Sequence, residues 1–92
     1  MTPFERQLRE DIRAECVATG NPTHLSIIRF GNPRDDDETY NVVLYVAPKF
    51  VTGRIEDLVN RLGALFATPR YLMTKRLDNE NEVGWTVMPG DG

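Results

Sequence analysis

The run TYNVVLYVA, from Thr39 to Ala47, is apolar on both of its alternating faces. A strand of that kind suits a place between neighbouring strands, centrally in a sheet. Pro48 ends it. The rest of the chain must therefore supply neighbouring strands and at least one covering layer.

The cover comes from two helical patterns. Thr2-Pro3-Phe4-Glu5 is a helix start: Thr2 can cap, Pro3 suits the first helical position, and Glu5 stands where a capping box needs it. Phe4, Leu8, Ile12 and Cys16 then form a narrow apolar stripe, and Gly20, Asn21 and Pro22 stop the helix. The second helix begins near Thr52 or Gly53 and stops at Thr68-Pro69. Ile55, Leu58, Val59, Leu62, Leu65 and Phe66 give it a broad apolar face. Three further strands are read at His24 to Phe30, Arg70 to Leu77 and Val83 to Met88, joined by the acidic turns PRDDDE and DNEN.

The order is αββαββ. It predicts an α+β two-layer sandwich, a four-stranded antiparallel sheet with both helices on one face. Placing the last strand between the second and third keeps all neighbours antiparallel and gives a permuted ferredoxin-like arrangement. A plain meander of two hairpins is the alternative. The whole chain is expected to be one domain of two loosely similar αββ units, residues 1–48 and 49–89, with 90–92 a frayed tail.

Alternation along the strands leaves Ser26, Ile28, Phe30, Val43, Tyr45, Leu72, Arg76 and Met88 as a candidate outer set. That set is too apolar for a face that meets water alone, and its aromatic, methionine and arginine content is that of a protein interface.

Chemistry-bearing residues are sparse. The single histidine, His24, and the single cysteine, Cys16, supply no soft ligand set for zinc and no evident nucleophile–base pair. Asp35, Asp36, Asp37 and Glu38 are consecutive, whereas a calcium loop spaces its ligands at alternate positions around a glycine. The run reads first as a solvated turn. The expectation is a protein that is not an enzyme and carries no cofactor and no metal. Arg70, Lys75 and Arg76, with Tyr71, make a basic strand of the kind that can contact single-stranded RNA. The formal net charge of −3 argues against a general nucleic-acid coat. One cysteine allows no internal disulfide, which suits the cytoplasm. The charged start MTPFERQLRE is no signal peptide, and no apolar run is long enough to span a membrane.

As a whole, and most clearly in LREDIRAECVATGNPTHLSIIRFG and NRLGALFATPRYLMTKRL, the chain resembles the small phage-encoded anti-CRISPR proteins that act on type I-F surveillance complexes. That group shares no motif, so no residue role is carried over by position. The resemblance implies a non-enzymatic blocker, acting as a monomer in the host bacterial cell. It would dock on Cas protein subunits around the guide RNA and keep target DNA from hybridising. Asp35, Asp36, Asp37 and Glu38 would meet the cations of the DNA channel, with Tyr45 and Arg76 in the partner contact. Arg34, Arg70, Lys75 and Arg76 would be the candidates for touching guide RNA. The competing expectation is a small regulatory module that dimerises through its open sheet face.

Overall fold

The computed structural model describes the backbone of residues 2–21, 25–30, 38–45 and 53–91, and the side chains of 2–21, 38–44 and 54–91. The elements are α1 (Pro3–Thr19), β1 (Leu25–Phe30), β2 (Thr39–Tyr45), α2 (Gly53–Phe66), β3 (Tyr71–Asp78) and β4 (Glu82–Pro89). The chain is α+β, with β4 hydrogen-bonded between β2 and β3 and every pairing antiparallel. On the far side of β2, β1 adds through its backbone, from Leu25 opposite Leu44 to Phe30 opposite Thr39. The second strand is central, as expected from its two apolar faces. The alternative meander, with the two hairpins merely side by side, is not the arrangement seen, because β4 lies between β2 and β3.

Local signals account for the helix ends. Thr2 accepts a hydrogen bond from the Glu5 N–H (3.1 Å) in the capping position. Only one arm of the expected capping box is made. The Glu5 carboxylate turns to Arg9 instead (3.4 Å), and the Thr2 hydroxyl donates to Glu38. At the other end Gly20 adopts φ 70°, a left-handed conformation that favours glycine. Its N–H and that of Asn21 close the last turn on the Val17 and Cys16 carbonyls. After α2, the Thr68 hydroxyl and N–H both return to the Leu65 carbonyl.

One face of the sheet makes the core. Tyr40, Val42 and Leu44 of β2 stand opposite Val87, Trp85 and Val83 of β4. Onto them pack Leu8, Ile12 and Cys16 from α1 and Leu58, Leu62 and Phe66 from α2, all buried. Cys16 behaves as a small hydrophobe. Burial raises its thiol pKa, and the neighbouring Glu15 carboxylate raises it further, so it is held as the inert thiol. The β3–β4 turn closes on Asn79, whose side-chain oxygen accepts from the N–H groups of Asn81 and Glu82 (2.9 Å each). Gly90, expected in a frayed tail, instead donates its N–H to the Arg70 carbonyl (2.9 Å). A Cβ there would stand 2.9 Å from backbone atoms of Arg70 and Tyr71, and closer still to the Pro69 oxygen.

The depth of this core sets a contrast between two leucines. Leu58→Ala is expected to destabilise the fold by about 2–5 kcal/mol in urea unfolding, through lost burial and the cavity left behind. Leu72→Ala, at a side chain 51% exposed, is expected to stay within about 0.5 kcal/mol of the parent.

Candidate functional site

Strand β3 is one edge of the sheet, and after Tyr71 every one of its residues is exposed. Its pairing with β4 is regular from Tyr71 to Met73 and again from Lys75 to Asp78, with Thr74 as an extra residue between. That bulge decides what each surface carries. Regular alternation predicts Leu72, Thr74 and Arg76 on one face. With Thr74 bulged, Arg76 stands opposite Trp85 and so moves to the helix-covered side, while Leu77 stands opposite Gly84 and joins Leu72 on the open side.

The open face is therefore corrected. Arg76 leaves the outer set and Leu77 enters it. Leu72 lies beside Met88, and Leu77 and Val43 flank Gly84, where a Cβ would meet both side chains at 3.4–3.5 Å and the Val42 carbonyl at 3.1 Å. Between these apolar groups is a polar pair that alternation alone did not single out: the Thr86 hydroxyl donates to Asn41 (2.8 Å) across β2 and β4. Lys75 stands opposite Thr86, on this same side.

Arg70 and the two cations of β3, Lys75 and Arg76, do not form one patch. Arg70 reaches back to Asp11 on α1 (3.1 Å). Arg76 lies with its guanidinium 4.8 Å from the centre of the Trp85 ring and 3.8 Å from the Asp78 carboxylate. Lys75 has no ion-pair or hydrogen-bond partner among the described residues. Tyr71, placed beside them as a stacking ring, is buried, and its hydroxyl donates to Asp11. Asp11 also accepts from Gln7 (2.8 Å), so one α1 carboxylate gathers three donors. The surroundings of Tyr71 serve the fold rather than base stacking.

Glu38, at the end of the acidic run, is engaged inside the molecule. One carboxylate oxygen accepts from both the Thr2 hydroxyl and the Tyr40 phenol (3.1 Å), tying the start of β2 to the start of α1. Arg34, Asp35, Asp36 and Asp37 lie outside the described residues. So does the side chain of Tyr45, although its backbone pairs with Glu82. Among the described residues, no group of three His, Cys, Asp or Glu is placed to hold a metal ion, and no helix is long and apolar enough to cross a membrane.

Beside the β3 edge, on the helix side, a groove of about 360 Å³ runs between α2 and the β3–β4 hairpin. Ile55, Val59 and Val83 form its apolar floor, and Glu56, Asn60, Arg76 and Asp78 its polar walls. Arg76 enters this groove only because of the bulge.

Known protein families, curated proteins and solved structures contain no match to this chain.

The Tyr71–Asp11 bond yields a pH prediction. Burial, and then the bond to Asp11 and its charge, push the Tyr71 phenol well above its ordinary value of 10.0. Burial and the Glu38 contact push Tyr40 the same way, with Thr2 opposing. The unfolded chain thus loses these protons first as pH rises. The stabilisation is whole below about pH 10 and is lost progressively above it. Tyr71→Phe is expected to cost about 1–3 kcal/mol at neutral pH and to flatten the alkaline fall in melting temperature, followed by circular dichroism.

Proposed function

We propose that this chain is a non-enzymatic inhibitor that docks on protein subunits of a type I-F CRISPR surveillance complex and blocks target DNA. It acts inside the host bacterium as a phage-encoded protein. The observation that carries the docking half of this reading is β3: an edge strand with Leu72, Met73 and Leu77 respectively 51, 41 and 38% exposed, beside an open sheet face. Large apolar side chains gathered on one edge are what a partner surface offers. The whole-chain resemblance supports the partner's identity, and a mixed surface charge suits a site made of basic subunits and RNA. We read the fold as a permuted ferredoxin-like sandwich with a four-stranded sheet. In it, Asp35, Asp36 and Asp37 face the cations of the channel and Lys75 is the one β3 cation left to meet guide RNA.

The test is a pull-down of purified protein against a type I-F complex, followed by a target-DNA gel shift. Binding with loss of the shifted DNA band is the expected outcome. Leu72→Glu with Leu77→Glu should abolish binding at an unchanged melting temperature, and Asp35→Lys with Asp37→Lys should weaken it. Absence of binding at micromolar protein would remove this reading.

A further inference from the structure

We infer that the groove between α2 and β3 receives an extended segment of a partner protein, added alongside Arg76–Asp78, with a lysine or arginine side chain lying in the groove. This deepens the docking reading above and rests on it.

An edge strand leaves alternate N–H and C=O groups without a neighbour, and an added strand pairs with them. Along β3 the Thr74 bulge and the Lys75 charge discourage long pairing of the first half. The stretch from Arg76 to Asp78 continues past them in regular register. A strand added there would send alternate side chains to the two sides of the sheet. On the open side they would meet Leu77. On the helix side they would enter the groove over Ile55, Val59 and Val83.

The walls choose the sign of that side chain. Arg76 is already occupied by the Trp85 ring and Asp78. Glu56 has no ion-pair or hydrogen-bond partner among the described residues, and neither does the Asn60 amide. Arg76 and Asp78 offset each other, so the Glu56 carboxylate is the charge of the lining left without a partner among the described residues, and the floor is apolar. A long aliphatic stem ending in a cation complements both.

The probe is acetyl-Val-Lys-Val-Lys-Val-amide, titrated into the ¹⁵N-labelled full chain and followed by backbone amide shifts. Saturable shifts centred on Arg76–Asp78, with movement of the Trp85 indole N–H, are expected. Acetyl-Val-Glu-Val-Glu-Val-amide should produce none. Glu56→Lys should weaken the lysine peptide by about tenfold or more. Asp57→Lys makes the same charge change one residue on, outside the groove lining, and should leave the affinity nearly unaltered. No saturable shift, equal shifts from both peptides, or affinity that survives Glu56→Lys would each overturn the inference. The titration contains no surveillance complex. A chain that takes the peptide but not the complex would retain the groove site and lose the proposed partner.

Discussion

The structure depends on a line of aromatic rings that crosses the core and fastens both helices to the sheet. Phe4 on α1 lies 5.7 Å from both Tyr40 and Tyr71, and Phe66 on α2 lies 5.5 Å from both Tyr71 and Trp85. These are tilted and edge-on contacts, the geometries that ring quadrupoles favour. Tyr71 is the joint: it touches one ring from each helix, and its hydroxyl is held by Asp11. In a chain of this length few residues are available for burial, so large rings carry much of the apolar area. The polar ends of this line are tied at Asp11 and Glu38. Trp85 closes its far end, with its indole N–H buried and without an acceptor among the described residues.

Electrostatics here mostly serve assembly. Asp11 with Arg70, Glu15 with Arg61, and Glu38 with Thr2 each join segments far apart in sequence. The exposed pairs contribute little singly. Their use is orientation, since α1 touches α2 and two strands through them. What is left over for a partner lies at the β3 side of the molecule, where Arg76 and Asp78 pair on the helix side and Lys75 stands on the open side.

The α+β class, both helices, the Thr2 and Gly20 caps of α1 and the central position of β2 were legible in the amino-acid sequence. Each rests on a local signal: Thr2-Pro3 at a helix start, Gly20 at a stop, two apolar faces in TYNVVLYVA. The place of β4 between β2 and β3 was one of two arrangements the sequence left open, the other being a meander of two hairpins. The site was less legible. The Thr74 bulge reversed Arg76 and Leu77, and alternation has no means of seeing an extra residue. The odd spacing of Leu72 and Leu77, both apolar, was the one available hint that they share a face. The roles of Asp11 and Glu38 depend on contacts across distant parts of the chain, so nothing local announces them. The groove likewise exists only where α2 and the β3–β4 hairpin meet.

The bulge has a consequence for how this surface could change over generations. Loss of the single codon for Thr74 would let Lys75 follow Met73 directly while still facing Thr86. Arg76 would stay on Trp85, and Leu77 on Gly84. Core and faces would be preserved, and only the kink would disappear. What remained would be a straight border on which the Lys75 charge is left to discourage pairing with copies of itself. One inserted residue thus gives this edge a second guard against self-association.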